Sequence, residues 1–206
     1  MARNRFTKVI ATAGLFVAGT GVAQAHHVAN YASPATILDG LLSGLGHPVI
    51  GLDHFLFTVG AGVIAARFER GRWLPMIFVI ASVFAAALRY LGSDAPIGEL
   101  PVAVSLVVLG AMMLTAIQPG EWIIAILFLA AGTLHGHALA ETIVGARPMP
   151  LAAYLVGLAL VQSLVAVAAW STARWAAVRA PGLPLQRLAG AAVGVAGIVF
   201  AGLAAL

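Results

Sequence analysis

The chain has 206 residues, 62% of them hydrophobic and 9% charged, with a mean hydropathy of +1.03 and a formal net charge of +4. That composition excludes an ordinary water-soluble domain and identifies an all-α polytopic membrane protein. The basic residues are scattered beside apolar segments, which argues against a nucleic-acid-binding face; the lack of cysteine removes disulfides, thiolate metal sites and thiol redox chemistry.

Residues 1–25 combine a basic start (Arg3, Arg5, Lys8), an apolar stretch from Val9 to Val22 and the small-x-small run Ala23-Gln24-Ala25. They are expected to form a cleaved signal peptide rather than an uncleaved first helix, leaving 26–206 as the membrane domain with its terminus, His26-His27, on the periplasmic side of an inner membrane. From Ile37 to Phe68 the chain is apolar for longer than one straight span requires. Proline disfavours helix in the residue before it, so His47-Pro48 is expected to break this run into a short interfacial or re-entrant segment, 37–46, and a first span, 48–66.

Arg67, Arg70 and Arg72 then mark a cytoplasmic loop. Further spans are expected at about 73–90, 100–117, 122–141, 151–172 and 187–205, making a six-helix transmembrane bundle with a broken first helix. Gln118 to Glu121 make a tight cytoplasmic turn and Arg174, Arg179 and Arg187 lie in another basic, cytoplasmic loop, while Arg89 and Arg147 are external exceptions to the positive-inside pattern. Gly190-x-x-x-Gly194 is read as a helix-packing motif. Met112-Met113 points to two helix faces and is read as packing; Gln162-Ser163 either faces a cavity or bonds a neighbouring helix.

On this topology all the histidines gather toward the outer side: His26, His27, His47, His54, His135 and His137. An ionisable group at membrane depth costs roughly 2.5–3.5 kcal/mol on insertion scales, so such residues usually face a cavity, a partner or an ion. On a continuous helix His47 and His54, seven apart, lie within about 20° of one another, with Asp53 about 100° from His54. His137 and Glu141 share a face, but His135 lies about 200° from His137. A regular helix cannot aim both rings at one point, so either one points elsewhere or Gly132 and Gly136 mark a local irregularity. Imidazoles and carboxylates without thiolates suit nickel, cobalt, zinc or copper(II) better than magnesium or calcium. Mutual hydrogen bonding between helices is the alternative use of the same residues.

The run His47-Pro-x-x-Gly-x-Asp53-His54 resembles the signature of the HupE/UreJ family of small membrane proteins associated with nickel supply to hydrogenase and urease. The resemblance extends to a histidine-glycine motif at His135-Gly136, although Leu139 stands where many members carry a later histidine. It implies nickel or cobalt permeation, with His47, Asp53, His54 and His135 as ion ligands and His137 or Glu141 substituting at the altered position; His26 and His27 would capture the ion outside. No permanent cofactor is expected, and the partners are the metal ion and the lipid bilayer. The competing readings are a membrane haem protein using a pair such as His54 and His135, a metal-dependent hydrolase, and a metal-binding accessory protein without transport.

Overall fold

Long apolar runs separated by glycine, proline and short polar turns satisfy their backbone hydrogen bonds internally, as a bilayer interior demands. The computed structural model describes residues 33–92, 98–115 and 119–205. The expected signal peptide, His26 and His27 lie outside them. The described residues form helices α1 (Ile37–Ile50), α2 (Leu52–Ala65), α3 (Leu74–Tyr90), α4 (Glu99–Leu114), α5 (Glu121–Leu139), α6 (Pro148–Arg179) and α7 (Leu185–Ala204), with 3₁₀ turns at Gly71–Trp73 and Ala140–Ile143 and no strand.

Four helical stretches are long and apolar enough to cross a membrane: Gly71–Tyr90, Glu121–Ile143, Pro148–Arg179 and Leu185–Ala204. The α1–α2 pair adds a fifth if its two arms, bent by 74°, count as one span. Helix α4 has 16 residues, about 24 Å at ~1.5 Å per residue, against the ~30 Å of a typical hydrocarbon core. A helix thus stands at each of the six expected positions, and four or five of them meet the length of a span.

The first apolar run breaks three residues later than its sequence suggests. Pro48 lies inside α1, and the chain turns at Gly51 (φ −71°, ψ 98°), which ends α1 and begins α2. Gly51 N–H donates to the His47 carbonyl at 2.9 Å, and its own carbonyl accepts from Phe55 N–H at 2.9 Å. At the other end of α1 a reciprocal cap fixes the start: Thr36 Oγ1 accepts from Asp39 N–H, and Asp39 Oδ2 accepts from Thr36 N–H.

Helix α2 is the centre of the bundle, packed against α6, α4, α7 and α3. Its deeper half is buried, with Phe57, Ala61 and Ile64 in one core with Phe78, Leu106, Phe128 and Val193. Small residues let the outer helices approach it and each other. A side chain at Gly44 would enter the Tyr154 backbone of α6, and one at Gly110 would sit 2.5 Å from Gly194 Cα of α7. The α4–α7 seam therefore uses Gly190 and Gly194 for helix packing, as their spacing suggests. Met113 is buried there and Met112 packs beside it.

At the opposite end of α2, Arg67 Nε–H donates to Gln186 Oε1 at 2.7 Å, and its Nη2 donates to the Met112 carbonyl at 3.1 Å. Gln186 Nε2 donates to the Met113 carbonyl at 2.7 Å. The last turn of α4 thus has carbonyls satisfied by two side chains from elsewhere in the fold. Partial burial lowers the Arg67 guanidinium from its ordinary value; arginine nonetheless stays charged in proteins.

Candidate metal centre

The bend at Gly51 and the outer half of α5 bring the two polar stretches into contact. His54 Nδ1 and His135 Nδ1 are 2.8 Å apart, both rings buried, joining residues 81 positions apart in sequence. Phe57 and Phe78 wall the pair, with ring centres 4.7 Å and 5.4 Å from that of His135. Asp53 holds the first turn of α2, its Oδ1 accepting from His54 N–H at 2.8 Å, while its Oδ2 lies 3.8 Å from His54 Nε2. His47 comes from the last turn of α1; its ring centre is 6.0 Å from that of His54, so the two remain neighbours although the helix between them is broken.

For neutral rings, the neighbouring hydroxyl groups favour one tautomer each. Ser105 has one hydroxyl proton, which it donates to the Val102 carbonyl at 2.6 Å, so its oxygen accepts from His135 Nε2–H at 2.9 Å. His135 Nδ1 is then an acceptor, and the proton between the two rings belongs to His54 Nδ1. His54 Nε2 lies on the side of the Asp53 carboxylate. The same reasoning applies to His47. Tyr154 donates its proton to the Leu139 carbonyl at 2.6 Å, so its oxygen, 3.2 Å from His47 Nδ1, accepts from that ring. Thr142 Oγ1 lies 3.3 Å from the same Nδ1.

Helix α5 runs regularly through His135 and His137 to Leu139. The 200° separation therefore holds, with no irregularity at Gly136, and the two rings serve different partners. His137 Nε2 accepts from Arg89 Nη1 of α3 at 2.7 Å. Its lone pair is engaged by a guanidinium, which also repels a metal cation, so the structure does not add His137 to the His54 cluster. Glu141 lies exposed in the 3₁₀ turn after α5, where the helical register that would have placed it one turn from His137 has ended. Among the described residues, no group of three or more His, Asp or Glu side chains is already gathered as a metal-holding cluster.

Sequence reasoning missed Ser105, Thr142, Tyr154 and Arg89. The available sign was a lone hydroxyl or guanidinium in an apolar helix, which needs a partner if buried. Gln162 is buried and its Oε1 lies 2.7 Å from Ser82 Oγ of α3, so it bonds a neighbouring helix. The direct contact of His54 with His135 also leaves no slot for a porphyrin between them.

Comparison with known proteins bears on what this arrangement is for. A family model described as HupE / UreJ protein matches residues 11–200. A curated relative, Protein HupE of Rhizobium leguminosarum bv. viciae, is 32% identical over 101 residues, covering 48% of this chain and 53% of the relative. The match thus spans about half the length of that relative. No solved structure matches.

Proposed function

We propose a function from the premise that this chain belongs to the HupE / UreJ family: it is a multi-pass membrane permease that carries a divalent transition-metal ion, nickel or cobalt, from the periplasm to the cytoplasm. The observation that carries the reading is the buried His54–His135 contact, which unites two polar stretches 81 residues apart in an otherwise apolar bundle.

In this reading His54 Nε2, His47 Nε2 and the Asp53 carboxylate take the ion, while His135 holds the other nitrogen of His54. A metal-bound imidazole usually donates its second N–H to such a partner, which fixes ring orientation and raises basicity. The spacing fits. Two imidazoles sharing an ion at ~2.0–2.1 Å place their ring centres roughly 5–6.5 Å apart, and those of His47 and His54 are 6.0 Å apart. His54 Nε2 and Asp53 Oδ2, at 3.8 Å, need to close only slightly to reach the roughly 3.0–3.4 Å expected across a shared ion. Borderline nitrogen and oxygen donors favour nickel or cobalt over magnesium or calcium. His26 and His27 would capture the ion before it enters.

Accumulation of labelled nickel by whole cells, with His54→Ala and Asp53→Ala compared with wild type at matched membrane levels, tests the proposal. A fall of tenfold or more is expected for each. Unchanged accumulation of both nickel and cobalt would sink it. Loss of binding in purified variants, with no flux through reconstituted wild-type liposomes, would instead support a metal-binding accessory protein.

A further inference from the structure

Far from the histidines, at the arginine-rich end of the bundle, Glu69, Arg70, Arg72, Trp73 and Trp170 enclose an open recess of about 490 Å³. Its walls come from the link between α2 and α3, the 3₁₀ turn at Gly71–Trp73 and the later part of α6. Gly71 packs against the end of α2 so closely that a side chain there would enter the Ala65 carbonyl, which fixes the backbone between the two arginines. Trp73 meets Trp122 of α5 edge to face, ring centres 6.2 Å apart, so the aromatic wall is anchored at the start of two helices.

The lining is chemically incomplete. Arg70 and Arg72 are exposed, and among the described residues neither has a protein hydrogen-bond or ion-pair partner. The indole N–H of Trp170 is buried and likewise lacks an acceptor. Two solvent-facing guanidinium groups and one buried, unmet indole donor around one recess suit a ligand rich in acceptor oxygens, and guanidinium groups match a phosphate best. Tryptophan and arginine also mark the level of lipid headgroups at a membrane surface.

Glu69 narrows the choice. A purely anionic headgroup would meet its carboxylate with like charge. A phosphodiester that also carries a primary ammonium satisfies both signs: phosphate to Arg70, Arg72 and the Trp170 N–H, ammonium to Glu69. We propose that this recess binds the headgroup of a phosphoethanolamine-type phospholipid in the leaflet on the arginine-rich side.

Native mass spectrometry of the full-length protein, titrated with phosphatidylethanolamine and phosphatidylglycerol of identical acyl chains, tests this. Wild type is expected to retain the ethanolamine lipid at least fivefold more tightly. The Arg70→Gln/Arg72→Gln pair should weaken it tenfold or more, and Trp170→Phe, which keeps the ring and removes the donor, severalfold. Glu69→Gln should keep lipid binding but erase the preference for ethanolamine over glycerol. Equal or tighter binding of phosphatidylglycerol by wild type overturns the proposal, as does a Glu69→Gln protein of normal helicity with its preference intact.

Discussion

A neutral imidazole buried among apolar side chains needs one donor and one acceptor partner, and losing either strands a polar atom. His54 and His135 meet that need largely through each other, with Ser105 completing the chain. His135→Ala is therefore expected to weaken nickel affinity by about 10–100-fold, as loss of a ligand's orienting partner does; His54→Ala should abolish binding. Calorimetry on the purified proteins distinguishes the two, and equal losses would make His135 a ligand itself. Binding should also weaken as pH falls, because a protonated ring has no lone pair to give the ion. Gly51 is the third decisive residue. A Cβ there would lie 2.9 Å from His54 Cδ2 and 3.2 Å from Asp53 Oδ1. Gly51→Ala should reduce nickel accumulation by at least tenfold in protein that still reaches the membrane, whereas Gly46→Ala, whose Cβ would meet nothing closer than 3.5 Å, should be close to wild type.

At the scale of elements, the site depends on helices that touch backbone to backbone. Side chains at Gly40, Gly44 and Gly157 would collide with facing backbone across the α1–α6 seam, as would one at Gly136 with Ser82 of α3. This packing holds the short α1 against α6 and so keeps His47 beside Tyr154. The α4–α7 seam is separate from the site and gives a cleaner test of packing alone. Gly110→Val should destabilise the protein by about 1–3 kcal/mol, the usual cost of overpacking, read as a lower midpoint of thermal unfolding in detergent. The Arg67 clamp gives a second test. Arg67→Ala leaves the Met112 carbonyl and Gln186 Oε1 without their donors and should cost a similar amount, with nickel affinity unchanged. A Gly-x-x-x-Gly spacing announces such a seam in sequence, but the clamp joins residues from three distant places and leaves no local pattern.

For the whole molecule, the apolar residues exposed on the outer helices, among them Ile80 and Phe84 of α3, Ile126 of α5, Val156 and Leu164 of α6 and Ile198 of α7, are the surface a bilayer covers. Charge sets the orientation expected for it: Arg67, Arg70, Arg72, Arg174, Arg179 and Arg187 toward the cytoplasm. The native chain has no cysteine, so single-cysteine labelling reads topology directly. Arg147→Cys should react with a membrane-impermeant maleimide on intact spheroplasts and Gly182→Cys only after permeabilisation; the reverse result would invert the topology. Composition, hydrophobic run length and charge asymmetry determined the helical class, the position of each helix and the expected orientation, because these follow from the solvent each segment must occupy. For His135 and His137 the sequence left two choices, different partners or an irregularity at Gly132 and Gly136, and the regular course of α5 decided for different partners. Only the tertiary structure decided where the first helix bends and which partner each polar side chain meets. Pro48 weakens a helix by its own chemistry, but the turn settles at Gly51, where a residue without a side chain lets His54 and Asp53 approach the chain. Arg89, Ser105 and Tyr154 each look like isolated polar residues in an apolar run until packing brings a histidine to them.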